Sequence, residues 1–270
     1  MFGNLVNELK LRGYSEKSIK NYLYFNEKFI EFIQKSPRDI NSDDIKKYLT
    51  YLVNKKARPR TTNLAHSALK FYYSDFMNKQ LFKRVKRTKI EKDLPRILSK
   101  DEIYSMIHNT TNPKHKLLIT FLYSSGTRIE ETVKIKLNDI DVKQKIIFIK
   151  SGKGKKDRYI ITSERFLREM NFYLRKRDND STYLFDSIRG SHISVRTAEE
   201  IIKNAAKKAG INKRVYPHLL RASFTTHLLE NEVPVHKIQK ILGHSRTSTT
   251  LGYNRQKTND IKEVISPMDC

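Results

Sequence analysis

Cysteine is nearly absent from this chain of 270 residues. The one example, Cys270, leaves no pair for an intrachain disulfide, which fits a reducing cytoplasm and excludes a Cys-rich zinc scaffold. No HExxH or CxxC pattern occurs, so no zinc site is expected. Long hydrophobic runs are also missing. The longest nearly apolar stretch, Leu117 to Tyr123, is far short of the roughly 20 residues that span a membrane. Met1 to Gly13 has no apolar segment of the kind a secretory leader needs. Internal repeats and low-complexity segments are lacking. So is tryptophan, and a Lys- and Ile-rich chain without it is in keeping with an AT-rich genome. Hydrophobic residues still make up 38%, enough for a core, so wholesale disorder is excluded.

The other scarcity is acidic. Asp and Glu number 29 against 54 Lys and Arg, a net charge of +25. Self-repulsion on that scale opposes compaction unless a polyanion absorbs it, and nucleic acid is the first candidate. Residues 1–90 hold 20 basic and 8 acidic side chains, close to half of the excess. A spread of this kind indicates two bodies facing the polyanion rather than one basic tail. Charge alone does not separate DNA from RNA or from an anionic membrane surface.

The first ninety residues read as helices only. Ser15 is placed to cap a helix from Glu16, along which Ile19, Tyr22, Leu23, Phe29, Ile30 and Ile33 recur at three and four, with Asn26 the polar exception. A second helix is expected from Ser42-Asp43-Asp44, and a third from Thr61 or Thr62 after a turn at Arg58-Pro59-Arg60. Lys83 to Asp93 is charge-dense and reads as an extended linker. Beyond it, Ser99 and Glu102 form a capping-box pattern, Leu117 to Tyr123 reads as a buried helix ending at Gly126, and a further helix follows from about Arg128. Ile146 to Ile149 and Tyr159 to Ile161 are β-type runs separated by a Gly-rich turn. Helices resume from Phe166, near 195–208, 217–230 and 234–243, and after Ser248. The expected fold class is mainly α with a small antiparallel β-sheet, in two domains: 1–84 helical, 85–94 linker, 95–270 mixed.

Four short segments stand out in order: Gly126-Thr-Arg128-Ile-Glu-Glu131, Gly152-Lys153-Gly154, His218-Leu-Leu-Arg221, and Leu242-Gly-His244 with Tyr253 nine residues on. Each has an ordinary reading by itself. Arg128 is a surface residue paired to Glu130 or Glu131, Lys153 a solvated turn residue, and His218 a hydrogen bonder at a helix N-terminus. Arg221 is a helix residue, His244 a helix cap and Tyr253 core. Together, in this order and spacing, they resemble the tyrosine recombinase/integrase family, and most closely its Xer site-specific recombinases. Tyr14-Ser15 and Ser18 with Tyr22 and Phe29, and later Arg60-Thr61 with Leu69, Phe71 and Tyr72, are similar to that family's helical, SAM-like core-binding domain. Pro95 to Ser99 with Glu102 resembles the entry to its catalytic domain.

The resemblance implies a chemistry that suits these residue types. Arg128 and Arg221 would fork onto the non-bridging oxygens of a scissile phosphate, which Lys cannot do bidentately. Tyr253 would be the nucleophile, giving a 3′-phosphotyrosyl intermediate. Lys153, on the Gly-flanked turn, would protonate the leaving 5′-oxygen. His218 would act as general base or orient the nucleophile, and His244 would donate a hydrogen bond to the phosphate. Glu131, one turn from Arg128, would hold the cations in place. No metal, ATP or other cofactor is implied. The chain departs from the family pattern at Thr127, where Leu is usual, at Glu130 and Thr132, usually Ser and Leu, at Ala222 after Arg221, where His is common, and around Tyr253 at Gly252, Asn254 and Arg255.

The implied architecture is a clamp around double-stranded DNA. Protomers would assemble as a tetramer on dif-like recombination sites through the C-terminal tail, with Ile261, Val264 and Ile265 docking on a neighbour. Strand exchange through a Holliday junction would resolve chromosome dimers and serve chromosome partition at cell division, with plasmid resolution or element integration as neighbouring tasks. Two rivals remain open from sequence: a type IB topoisomerase-like relaxation activity, and a non-catalytic architectural DNA-binding protein.

Overall fold

Leu5 and Leu9 lie one turn apart and are both buried, which fixes the inner face of a first helix, α1 (Gly3–Leu11). Its apolar spacing is too short to stand out in the sequence. The computed structural model describes residues 2–90, 97–150, 157–243, 261 and 263–269. They fall into two compact units, Met1–Asp93 and Leu94–Cys270.

In the first unit α2 (Glu16–Ile33) begins where Ser15 accepts the amide of Ser18 at 3.2 Å. Asn26 is buried, and its Nδ2 donates to the carbonyls of Tyr22 and Ala68 at 2.8 and 3.3 Å. The polar exception in the stripe is therefore a cross-link to α4 (Pro59–Lys70). Between them α3 (Ser42–Asn54) is capped by Asn41, with Asp44 closing the box. α4 starts two residues earlier than expected. Pro59 takes the first helical position, where its missing N–H has no intrahelical partner to lose. A π-helical segment, Phe71–Phe76, follows. Phe29, Ile45, Leu69 and Tyr73 centre the core.

The stretch read as a linker starts out docked. Val85 is buried in this core, and the Asn63 side chain brackets Thr88, Nδ2 donating to its carbonyl and Oδ1 accepting from its amide, both at 2.9 Å. Residues 91–96 lie outside the described set.

In the second unit the Ser99–Glu102 capping box forms and starts α5 (Lys100–His108). The central helix, α6 (Pro113–Ser125), is buried on every side from Leu117 to Ser125 and ends at Gly126 in the left-handed region. The helix expected from Arg128 is the single turn α7 (Ile129–Thr132). The chain then leaves the helix to pair with residues 182–184, through Leu184 N to Ile135 O and Leu137 N to Thr182 O, both 2.9 Å. A three-stranded antiparallel sheet follows in the order β1 (Ile140–Asp141), β2 (Ile146–Ile149), β3 (Arg158–Ile161), with Ile149 opposite Arg158. Sequence patterning located β2 and β3 but not the two-residue β1. The remaining described helices are α8 (Glu164–Arg175), α9 (Val195–Lys208), α10 (Pro217–Glu230) and α11 (Val235–Leu242). The helix expected after Ser248 lies outside the described residues, apart from Ile261. No helix among those described is long and apolar enough to cross a membrane.

In the single chain the C-terminal tail packs on its own unit. Ile261, Val264 and Met268 are buried on the chain's own second unit, and of the three residues expected to dock on a neighbour only Ile265 stays exposed. Ser266 Oγ donates to the Ser124 carbonyl at 2.8 Å. The Asp269 carboxylate accepts the α8 amides of Glu164 at 2.8 Å and Arg165 at 3.3 Å. Without a partner, the nearest apolar surface that can cover these side chains is the chain itself.

Candidate active site

The ends of two helices shape the site. At the end of α6, Gly126 has φ +60°, and a Cβ there would stand 2.3 Å from Phe224 Cδ1 of α10. At the end of α11, Gly243 has φ +66°, and a Cβ would meet Arg158 Cδ at 2.8 Å. Both turns leave helix carbonyls without intrahelical partners, at the negative ends of the helix dipoles. Guanidinium groups occupy them. Arg221, on α10, is buried and donates from Nη1 to Gly126 O and from Nη2 to Leu242 O, the latter at 2.8 Å. Arg158, at the start of β3, donates from Nε to Ile241 O at 2.9 Å.

Glu131 joins these cations to Arg128. Its carboxylate accepts both Arg158 Nη groups, at 3.1 and 2.8 Å, and Arg128 Nη1 at 2.9 Å, and it also accepts the Arg128 amide at 3.0 Å. Glu131 thus contacts Arg128 and also Arg158, a partner not anticipated. Exposure is graded: the side chains of Glu131 and Arg158 are 9% accessible and that of Arg128 32%. Arg128 is therefore the guanidinium that faces outward.

Burial alone would raise the Glu131 carboxyl. Hydrogen bonds and charge from Arg158, then the Arg128 amide and guanidinium, outweigh it and hold the group at about 2. Arg221 is pushed down to about 10, first by burial and then by the charges of Arg128 and Arg158. Two guanidiniums thus grip one carboxylate and a third lies close enough to feel all three charges, leaving two positive charges in excess. The arrangement suits an anion with several oxygens, such as a phosphodiester, whose charge would relieve the crowding.

His218 sits on the first turn of α10, three residues before Arg221 and so on the same face, with its imidazole exposed. His227, farther along α10, is buried, with Nδ1 2.7 Å from the Tyr123 hydroxyl. Lys153, His244 and Tyr253 lie outside the described residues. The described chain leads to the first of these segments from both sides and to the second from its N-terminal side, because Arg158 follows Lys153 by five positions and Gly243 immediately precedes His244. No group of three or more His, Cys, Asp or Glu that could hold a metal ion occurs among the described residues.

Arg158 is the residue that sequence reasoning missed. One signal was available. Four lysines and one arginine fall in Lys150 to Arg158, and the arginine alone has a rigid fork suited to a buried carboxylate. The helix-end carbonyls carried no sequence signal.

Comparison with known proteins identifies the family of the chain. Residues 91–260 match the model described as the phage integrase family, and residues 1–83 match the phage integrase N-terminal SAM-like domain. The chain is 35% identical over 260 residues to tyrosine recombinase XerA of Pyrococcus horikoshii, covering 95% of this chain and 89% of that protein. A crystal structure of XerA recombinase aligns with a TM-score of 0.54 at 29% identity, covering 97% of this chain and 92% of that one. The fold alone is shared with XerH recombinase bound to difH substrate, with a TM-score of 0.68 at 19% identity and coverage of 96% and 81%. A SAM-like first domain and an integrase second domain belong together: the chain is a member of the phage integrase family of tyrosine recombinases.

Proposed function

We propose that the protein is a site-specific recombinase of Xer type that cuts and rejoins double-stranded DNA through Tyr253. The observation that carries this reading is the grip of Arg128 and Arg158 on Glu131, with Arg221 held nearby by the Gly126 and Leu242 carbonyls, an electropositive cradle of forked donors on a scaffold that holds them in fixed geometry. The Tyr253 hydroxyl attacks the scissile phosphorus. Arg128 and Arg221 stabilise the charge on the non-bridging oxygens, and His244 donates to one of them. Lys153 gives its proton to the departing 5′-oxygen, and His218 accepts or orients the tyrosine proton. The phosphotyrosine bond conserves the energy needed for resealing, so the cycle requires neither metal nor nucleotide.

The wider assignment follows the same reading. Residues 1–84 and 95–270 act as two DNA-facing domains joined by 85–94, in the cytoplasm. The protein acts as a tetramer on a dif-like site, with chromosome dimer resolution as its task. Similarity to proteins named XerA supports this, as does the difH-bound state of the XerH neighbour. On assembly the tail exchanges its position on its own chain for one on a neighbour. Truncation after Lys257 should then abolish cooperative assembly on DNA, and gel-shift titrations that stay cooperative would refute it.

The decisive test is a nicked suicide duplex carrying a candidate site, incubated without metal or ATP. A covalent adduct on a denaturing gel with wild type, absent with Tyr253→Phe, is the expected result. An equal signal from both, or supercoil relaxation without exchange between two sites, would overturn the recombinase mechanism.

A further inference from the structure

We propose that Arg158 is a positioning residue for strand cleavage, whose guanidinium sets the Arg128–Glu131 pair and the last turn of α11 in one fixed relation. The inference rests on the proposed recombinase reading and adds to it a residue outside the set that the resemblance implies. Every donor direction of the Arg158 fork has a role. The two Nη groups grip Glu131 bidentately, at 3.1 and 2.8 Å, and Nε grips Ile241 O at 2.9 Å. Its Cδ lies under Gly243, so close that any Cβ at that position would displace it. Glu131 passes the constraint on through Arg128 Nη1 at 2.9 Å and the Arg128 amide at 3.0 Å. Leu242 O, next along the same turn, is held by Arg221. One side chain therefore ties the β3 edge, the α7 turn and the end of α11, and both phosphate-facing arginines are attached to that tie.

Lysine cannot replace it. An ammonium is a point donor and cannot bracket a carboxylate and reach a carbonyl on another element at once. Arg158→Lys keeps the charge, and so the long-range field on DNA, but loses the geometry. Affinity for duplex should stay within about twofold of wild type, while adduct formation on the suicide duplex falls about 100-fold, as expected for a small misplacement of reacting groups.

Two measurements on the full chain test this, and the first needs no DNA. Hydrogen exchange of the amides at 241–243 should rise at least tenfold in Arg158→Lys, with those of Leu118 to Leu122 in α6 unchanged. Unchanged exchange at 241–243 overturns the proposal, and so does equal acceleration in α6, which would mean general loosening. The second compares adduct formation on a phosphodiester and on a methylphosphonate at the scissile position. The methyl group removes the charge that the arginines offset, so a defect acting through Arg128 shrinks to a few-fold on the neutral substrate. Glu131→Gln, a second variant acting through the same pair, should show the same selective recovery. Equal losses on both substrates overturn the positioning role. If wild type itself forms no adduct, the recombinase reading fails, and the exchange measurement still decides whether Arg158 holds the α11 end.

Discussion

Glu131 is the pivot at the scale of single residues. Its carboxyl is held at about 2, below the ordinary 4.5, because the Arg158 fork and the Arg128 contacts outweigh its burial. The folded value lies below the unfolded one, so the stabilisation is complete above about pH 4.5 and is lost as the pH falls toward 2. The separation corresponds to about 3 kcal/mol. Urea denaturation of wild type and Glu131→Gln should show a constant stability gap from about pH 7 to 5 that narrows below about 4.5, and a gap unchanged at about pH 3 would contradict the ion-pair assignment. Thr127 and Thr132, two of the departures from the family pattern, are one feature in physical terms. Their hydroxyls lie 2.7 Å apart in the buried interior, linked onward to Ser125 at 3.1 Å and to the Arg128 carbonyl at 3.1 Å. Thr→Val at either position removes one hydrogen bond from the partner hydroxyl, which keeps its contact to Ser125 or to the Arg128 carbonyl, and should cost about 1 kcal/mol. The double variant should lose about 1 kcal/mol less than the sum, as read from a double-mutant cycle in urea.

Secondary elements meet the site at their ends. Gly126 and Gly243 both close helices in the left-handed region, but their neighbours differ. The Cβ of Gly126→Ala would strike the Phe224 ring in a full core, which has nowhere to go. Strain in φ and overpacking together should lower stability by about 2–4 kcal/mol, measured as a fall in the thermal midpoint. The Cβ of Gly243→Ala would strike the Arg158 stem, which can swing away. That variant should retain more stability than Gly126→Ala yet lose more cleavage relative to its stability, because the displaced guanidinium leaves Glu131 and Ile241. Comparing adduct yield with melting temperature for the two variants checks the difference. The capped starts of α2 and α5 and the Gly126 stop of α6 were legible in sequence because caps act within three or four residues. The α4 start was misplaced by two residues, since a Pro before a polar run reads equally as a turn. The end of α7 was not legible, because it is dictated by pairing with residues 182–184, about fifty positions away.

For the whole molecule the dominant quantity is charge. An excess of +25 shared by both units predicts that duplex affinity is governed by counterion release. Binding to any duplex should weaken by about 10³-fold or more between 50 and 200 mM salt if about six phosphates are engaged, with log affinity linear in log salt. Fluorescence anisotropy across that range checks it, and a flat profile would contradict a polyanion partner. The tail belongs to this scale too. Ile261, Val264 and Met268 are covered by the chain itself, with Asp269 on the first amides of α8, so any partner surface must compete with contacts already made.

Sequence alone determined the helix faces and most of their ends, the two β-runs, the basic balance and the residue types gathered in four short motifs. Each follows from local rules or from composition, which reach only a few residues along the chain. Tertiary structure decided the rest. It paired Glu131 with Arg158, 27 positions on, aimed the carbonyls of Gly126, Ile241 and Leu242 at guanidiniums, joined Thr127 to Thr132 within the core, and folded the tail onto its own unit. Those partners are chosen by which surfaces packing brings within about 3 Å. Spacing in the sequence is silent there because a fork on a strand edge and a carboxylate on a helix turn share no periodicity.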